Sequence, residues 1–381
     1  MPAQLSPSQQ RDFLQRGFTR RDFGRLVTLL GAGATLPFYN EAALAQVSQV
    51  RGMPADAVKI NANENPLGPA PEAIEAGVRV LGQGGRYTYE LTDAFRETLA
   101  SQEGLPADHV QPFAGSSAPL TQAVLAFTSP TRSFVTADPG YEPPERSAAF
   151  IGAKVHRVPL TKTYAHDVKA MAAADPAAGL LYVCNPNNPT GTLTPDADLD
   201  WLVDHLPTGA VLLLDEAYTH ISGARMRSDL VAKGKDVVIL RTFSKIYGMA
   251  GLRAGAAIGR PELLAKLTPF SSGALPITGM AAAIASLKSP DLVPTRKKLI
   301  DGVRGDVCAF LDTHGFEYVP SVSNKFMLDV KRPGEEVVIA LRSEKVYIGR
   351  VWPSWPTHVR VSIGTADEMA KFQAALVKVM A

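Results

Sequence analysis

Four short runs of apolar residues most constrain the fold of this chain. Residues 179–184, 210–214, 237–240 and 254–258 are almost continuously apolar, as strands are when both faces of their sheet are covered. Segments with helical patterns separate most of these runs, and such an alternation is typical of a parallel sheet. The sequence therefore predicts an α/β protein with a mostly parallel sheet that carries helices on both faces.

The pattern changes after about residue 290. A long helix is predicted over 291–314, followed by strands near 325–330 and 358–363 and a helix that begins at residue 366. This arrangement indicates a second, smaller α+β unit. The predicted organisation is a leader over 1–45, an N-terminal segment over 46–70 that joins the small domain, a large domain over 71–285, and a small C-terminal domain over 286–381.

The composition excludes several classes of protein. Among the 381 residues, 39 lysines and arginines stand against 37 aspartates and glutamates, and this formal charge of +2 does not indicate a nucleic-acid partner. The two cysteines, Cys184 and Cys308, lie outside any CxxC motif, and no histidine pair has the spacing of a zinc site. We therefore predict an enzyme of small-molecule chemistry with neither a metal site nor a disulfide scaffold.

Residues 1–45 have the organisation of an export signal. A polar start with five arginines precedes a modestly apolar stretch over 26–38 and the small-residue site Ala-Leu-Ala at 43–45. Residues 19–23, TRRDF, resemble the twin-arginine (Tat) pattern, from which Gly24 departs. The apolar stretch is shorter than the ~18 residues of a membrane span, so we predict no stable span. We expect export by the Tat machinery to the periplasm or another extracytoplasmic space; the alternative is an amphipathic helix that contains an arginine pair.

Polar motifs follow three of the predicted strands. Residues 185–191 follow the strand that ends at Cys184, Asp215 follows the run over 210–214, and residues 241–253 follow the run over 237–240. Each motif has an ordinary explanation when it is taken alone, such as a turn or a helix cap. Together they are expected to converge, because the carboxyl ends of parallel strands meet at one edge, where open α/β sheets bind ligands.

With these motifs the chain resembles the fold-type I pyridoxal-phosphate (PLP) aminotransferases, and among them the histidinol-phosphate aminotransferase group of class I/II. The resemblance runs from about residue 59 to the end and includes residues 61–69, NANENPLGP. It implies a PLP-dependent transaminase that moves an amino group from an amino acid, histidinol-phosphate-like or aromatic, to a 2-oxo acid such as 2-oxoglutarate. It also implies a homodimer with shared active sites.

The resemblance assigns roles around the cofactor. Lys245 would hold PLP as a Schiff base and then move the substrate proton, and Asp215 would keep the ring nitrogen protonated. Asn188 and Tyr218 would hydrogen-bond the phenolic oxygen of the ring. The remaining cofactor contacts would come from Ser116, Ser117, Tyr141, Thr242, Ser244, Arg253 and, from the neighbouring subunit, Tyr87.

Two arginines are candidates for substrate binding. Arg360 matches the residue that binds the α-carboxylate of the substrate, with Asn188 beside it. Arg350 could hold a distal carboxylate or phosphate, while Trp352 and Trp355 could face an aromatic side chain. The alternative is that all three residues pack the surface of the small domain.

Departures from the family pattern leave the substrate open. They are Ser117-Ala118 where the family often has an acidic residue after Gly-Ser, Thr88 in place of a proline after Tyr87, and a tryptophan-rich segment over 348–355. Because the phosphorylated intermediates of histidine biosynthesis are expected in the cytoplasm, an exported enzyme is predicted to act on free amino acids, aromatic ones among them. The alternatives are a PLP-dependent decarboxylase on the same fold and a non-catalytic exported binding protein.

Overall fold

The computed structural model describes residues 5–32, 53–270 and 273–381, and its centre is a sheet of seven strands in the order β2-β8-β7-β6-β5-β3-β4. Strand β8 is antiparallel to β7 and β2, whereas the other neighbouring strands are parallel. The predicted α/β class with a mostly parallel sheet is confirmed. The strands are β2 (Val110–Phe113), β3 (Ser133–Asp138), β4 (Val155–Pro159), β5 (Ala178–Cys184), β6 (Val211–Asp215), β7 (Val237–Thr242) and β8 (Gly255–Gly259).

Helices flank this sheet, and its central strands lie in the core. Every residue of β5, β6, β7 and β8 is buried, which explains why the sequence shows continuous apolar runs instead of alternation. Among the described residues before 290, the helices are α1 (Pro7–Gln15), α2 (Phe23–Ala32), α3 (Pro71–Val80), α4 (Tyr89–Glu103), α5 (Ser117–Phe127), α6 (Pro143–Phe150), α7 (Val168–Ala173), α8 (Asp196–Asp204), α9 (Thr219–Ser222), α10 (Ser228–Ala232), α11 (Pro261–Leu264) and α12 (Ile277–Leu287).

A second, antiparallel sheet lies in the C-terminal part, with the strand order β12-β13-β10-β9. Its strands are β9 (Glu317–Val319), β10 (Lys325–Asp329), β12 (Val351–Trp352) and β13 (Trp355–Ser362), accompanied by helices α13 (Leu292–Thr313), α14 (Gly334–Ser343) and α15 (Ala366–Met380). Strand β1 (Val58–Ile60) pairs in parallel with β11 (Val346–Ile348). This pairing attaches the N-terminal segment to the C-terminal part and carries residues 61–65 towards the large sheet.

The predicted element boundaries differ from the observed ones at a few places. Strand β13 begins at Trp355, whereas the sequence predicts a strand near 358–363. Strands β9, β11 and β12 were not predicted at all. They have two or three residues each, which is too few for a period of two to be visible in the sequence.

The described part of the leader packs on the large domain. Phe13 is fully buried, with its ring centroid 5.1 Å from that of Phe18 and 5.9 Å from that of Phe270. The guanidinium of Arg16 donates to the carbonyls of Leu125 and Thr128, the latter at 2.8 Å. The candidate cleavage site at 43–45 lies outside the described residues. None of the described helices is both long enough and apolar enough to span a membrane.

Candidate active site

A cavity of about 310 Å³ opens at the carboxyl ends of the central strands. Its walls come from the loops that follow β2, β3, β5, β6 and β7, the edge at which the sequence predicts convergence. Ten of the predicted site residues line it: Ser116, Ser117, Tyr141, Asn188, Asp215, Tyr218, Thr242, Ser244, Lys245 and Arg253.

Asp215 ends the buried strand β6, and its carboxylate forms part of the cavity wall. The hydroxyl of Tyr182 donates to Asp215 Oδ2 at 2.9 Å, and the backbone N–H of Ala217 donates to Oδ1 at 3.1 Å. Burial raises the pKa of the Asp215 carboxyl above its usual range, although these hydrogen bonds oppose the shift. A cationic ring nitrogen against this carboxylate would stabilise its charge.

Lys245 lies in the loop that follows β7. Its Nζ donates to the carbonyl of Ala62 at 3.4 Å and lies 5.6 Å from the centroid of the Tyr218 ring. Asn63 Nδ2 donates to the hydroxyl of Tyr218 at 3.1 Å. The N-terminal segment therefore touches both the lysine and the tyrosine of the site.

An anion-binding cradle forms one end of the cavity. Helix α5 begins at Ser117, so the unpaired N–H groups of its first turn are available for an anion. Arg253 Nη1 lies 3.4 Å from Ser244 Oγ, which also accepts from Thr242 Oγ1 at 3.0 Å. Gly115 has φ +88°, a conformation that favours glycine, and a Cβ added there would stand 2.2 Å from Arg253 Nη2 and push the guanidinium out of its present position.

The donor set of the cavity fits PLP. The cradle offers a guanidinium, hydroxyls and backbone N–H groups to a phosphate, Asp215 offers a carboxylate to the ring nitrogen, and Lys245 offers an amine to the aldehyde. No group of three or more His, Cys, Asp or Glu side chains suited to a metal ion occurs among the residues that the structure describes.

Arg360 reaches the site through Asn188. It is fully buried on β13, where its Nη1 donates to Asn188 Oδ1 at 3.0 Å and its Nη2 donates to the carbonyl of Asn61. Arg360 is therefore close to the cavity without lining it. The predicted pair of Arg360 and Asn188 is brought together by the approach of the small sheet to the loop after β5.

Arg350 forms an ion pair with Glu142, which follows the cavity residue Tyr141. The guanidinium of Arg350 also lies 4.0 Å from the centroid of the Trp352 ring. Trp352 is buried and donates from Nε1 to the carbonyl of Gly140 at 2.8 Å. The ring of Trp355 lies instead against Tyr164, with centroids 5.7 Å apart. Neither tryptophan lines the cavity.

Tyr87 lies outside the cavity of its own chain. Its side chain is 69% exposed, and its ring stacks on that of Tyr89 with centroids 6.0 Å apart. Of the predicted cofactor residues, it is the one that the fold of a single chain does not bring to the site.

Sequence reasoning missed several residues of the site. Tyr182 holds Asp215, Asn63 holds Tyr218, and Lys325 lies against the Tyr218 ring. Tyr182 is the one hydroxyl-bearing residue in the apolar run of β5, which was a usable signal. Asn63 lies in the motif over 61–69, which assigned it no role, and Lys325 had no signal, because the contacts of both depend on how the two sheets are placed.

The chain matches the family model described as aminotransferase class I and II over residues 55–376. It is 37% identical over 329 residues to a histidinol-phosphate aminotransferase of Symbiobacterium thermophilum, with 84% of this chain and 90% of the relative covered. It is also 33% identical to an aromatic amino acid aminotransferase of Cutibacterium acnes, with 84% and 94% covered.

A similar fold occurs in a crystal structure of histidinol-phosphate aminotransferase from Sinorhizobium meliloti in complex with pyridoxal-5'-phosphate. The two chains have a TM-score of 0.78 and 27% identity, and the match covers 90% of this chain and 94% of the other. Together with the lysine, carboxylate and anion cradle of the cavity, these similarities show that the chain belongs to the class I and II aminotransferases and is a PLP-dependent transaminase.

Proposed function

We propose that this transaminase takes an aromatic amino acid as its preferred donor and 2-oxoglutarate as its acceptor. The observation that carries the donor preference is the ion pair of Arg350 with Glu142 beside Tyr141. A phosphate on the donor would have to displace the Glu142 carboxylate from Arg350, and that carboxylate is also held by Arg146 Nη2 at 3.0 Å. An uncharged aromatic side chain would leave the pair intact and could lie against Tyr141 and the Arg350 guanidinium.

We assign the proton transfer to Lys245. PLP, when bound, supplies an electron sink for the electrons that remain when the α-proton of the donor leaves. The Nζ of Lys245 would take up this proton and return it, while the Asp215 carboxylate stabilises the positive charge of the ring nitrogen. Tyr218 and Asn188 orient the ring. The guanidinium of Arg360, which donates to Asn188, would also bind the α-carboxylate of the donor.

The active enzyme is, in our proposal, a homodimer with shared sites. Helix α3 and the segment that follows it expose large apolar side chains, including Val78 at 60%, Leu81 at 61% and Tyr87 at 69%. Such a patch favours a protein partner, and a second copy of the chain would cover it. The same contact would bring Tyr87 to the phosphate cradle of the neighbouring subunit.

We further propose that residues 1–45 direct export to the periplasm through the twin-arginine pathway. Arg20 and Arg21 are both exposed, in the turn between α1 and α2. The hydroxyl and the N–H of Thr19 each donate to Asp22 Oδ2 at 2.7 Å, which orders this turn. Export of a folded chain would allow PLP to bind before the membrane is crossed. The packing of Phe13 on the large domain supports the alternative, in which the leader is a permanent part of the fold.

Replacing Asp215 tests the role of its carboxylate. We expect Asp215→Asn to lower the transamination rate by roughly 100-fold or more, because the ring nitrogen loses its counter-charge.

The raised pKa means that the cofactor-free native state binds more protons than the unfolded state, so its stability falls as pH rises. The cofactor-free variant should therefore unfold at a higher temperature than wild type at pH 7, and the difference should shrink as the pH is lowered. Calorimetry and a coupled assay measure both effects, and unchanged turnover would refute the assignment.

Glu142 provides the test of donor preference. Wild type should use phenylalanine, tyrosine and tryptophan better than histidinol phosphate, with 2-oxoglutarate as acceptor and oxo-acid formation as the readout. Glu142→Gln should raise kcat/KM for histidinol phosphate by about tenfold, because Arg350 becomes available to the phosphate. Its kcat/KM for aromatic donors should stay within about threefold of the wild-type value. Glu145→Gln is the matched control, since Glu145 pairs with Arg157 at 3.1 Å. A wild-type preference for histidinol phosphate would overturn the proposal, and release of amine and carbon dioxide would indicate a decarboxylase.

Hybrid dimers test the shared sites. Lys245→Ala and Tyr87→Ala subunits should each be impaired alone, the first in cofactor attachment and the second in cofactor affinity by about tenfold. If Tyr87 serves the neighbouring subunit, a mixed dimer contains one site with both wild-type residues. In the purified mixed dimer, half of the sites should then bind PLP with wild-type affinity, as measured by PLP titration. If Tyr87 serves its own subunit, mixing restores nothing.

Cell fractionation tests export. In a host bacterium with a twin-arginine pathway, wild type should be found in the periplasm without residues 1–45. The double variant Arg20→Lys/Arg21→Lys should remain full-length in the cytoplasm, whereas Arg11→Lys, outside the motif, should be exported normally. Full-length wild type confined to the cytoplasm would show that the leader is a stable part of the enzyme.

A further inference from the structure

Lys325 is a fully buried lysine behind the cavity wall. It begins strand β10 of the small sheet, and its Nζ lies 3.1 Å from the centroid of the Tyr218 ring. The same Nζ donates to Ser323 Oγ at 3.0 Å. An ammonium group is costly to bury, and the face of an aromatic ring is one of the few surroundings that compensates it.

Contacts with the N-terminal segment and with the loop after β5 hold the backbone around Lys325 in place. The Oγ of Ser321 donates to the Lys325 carbonyl and accepts from the N–H of Ser323 at 3.0 Å. Asn324 Nδ2 donates to the carbonyl of Asn63 at 3.2 Å. Gly191 has φ +73°, and a Cβ added there would lie 2.8 Å from the Lys325 carbonyl oxygen, so the loop after β5 packs directly on this turn.

Tyr218 is thereby contacted at two points by residues outside the large domain. Asn63 donates to its hydroxyl, and Lys325 lies over its ring. Asn63 and Lys325 are linked through Asn324, so the two contacts share one support. A tyrosine held at both its oxygen and its ring has little freedom to rotate away from the cofactor.

The charge of Lys325 adds to that of the site. Lys245 Nζ lies 5.6 Å from the centroid of the same ring, so two lysines approach Tyr218. Asp215 on β6 and the thiol of Cys184 on β5 interact electrostatically with Lys325, and Asp215 also interacts with Lys245. Arg360 on β13 is a further fixed cation, which touches the cavity residue Asn188.

We propose that Lys325 is a positioning residue of the transaminase that holds the Tyr218 ring and adds a fixed positive charge to the site. This charge disfavours a second positive charge on the nitrogen that joins Lys245 to PLP. The cofactor-bound enzyme is thereby kept in its unprotonated, reactive form at lower pH. The inference depends on cofactor attachment at Lys245 and is independent of the preferred donor.

Exchange of the lysine for an uncharged residue of similar length tests this role. The holoenzyme of Lys325→Met should show a pH midpoint of its visible cofactor absorption that is roughly 1 pH unit higher than wild type, since a nearby positive charge is lost. Its kcat should fall about tenfold, while its KM for the donor should stay within about threefold of the wild-type value. Loss of the lysine is expected to affect the orientation of the ring and proton transfer more than donor binding. Lys325→Arg should keep the wild-type midpoint. All of these proteins retain Asp215, Cys184, Lys245 and Arg360. The charges of these four residues therefore do not account for a difference in pH midpoint between the variants.

Two further variants keep the result interpretable. Lys331→Met removes an exposed lysine of the same domain and should change neither the midpoint nor kcat. Lys325→Gln replaces the methionine variant if that protein does not fold, because it retains polarity and loses the charge. An unchanged midpoint in the uncharged variant, or an equal shift in Lys325→Arg, would overturn the proposal. Absence of the visible band in wild type would instead show that cofactor attachment had failed, which is a separate result.

Discussion

The Asp215 carboxylate, buried at the end of β6, is the constraint around which the site is organised. A charged group in the core of a parallel sheet is unfavourable by itself, and here burial raises its pKa even though Tyr182 and Ala217 donate to it. A cationic cofactor ring beside the carboxylate would offset the free-energy cost of burying its charge. The carboxylate therefore suits the ring nitrogen of PLP, whose positive charge it would stabilise.

Loops of the large sheet carry most of the groups that would react with or bind the cofactor. Residues of the small domain and of the N-terminal segment orient those groups. Lys245, Asp215 and the phosphate cradle come from loops at one edge of the large sheet. The partners that orient their neighbours come from elsewhere: Asn63 from the N-terminal segment, and Lys325 and Arg360 from the small sheet. Pairing of β1 with β11 ties the N-terminal segment to the C-terminal part, so all three residues act from one connected body.

Much of the fold and part of the site could be predicted from the sequence. The apolar runs of β5 to β8 are visible because both faces of those strands are buried, and polar residues that follow parallel strands must share an edge. The short strands β9, β11 and β12 were missed, because pairing with distant segments stabilises them and their own pattern does not.

The sequence by itself determined the class of fold, the order of the motifs and the identity of the lysine, carboxylate and arginine that a PLP enzyme needs. The class of fold and the order of the motifs depend on local pattern and on chain direction within a parallel sheet, whereas the roles of the three residues are what the family resemblance implies. Only the tertiary structure decided that Arg350 is paired with Glu142, that Trp352 is buried beneath it, and that Lys325 lies over Tyr218. The contacts of Arg350 with Glu142 and of Lys325 with Tyr218 join residues more than 100 positions apart, and they form where the small sheet approaches the large domain. No local pattern in a chain records such an approach.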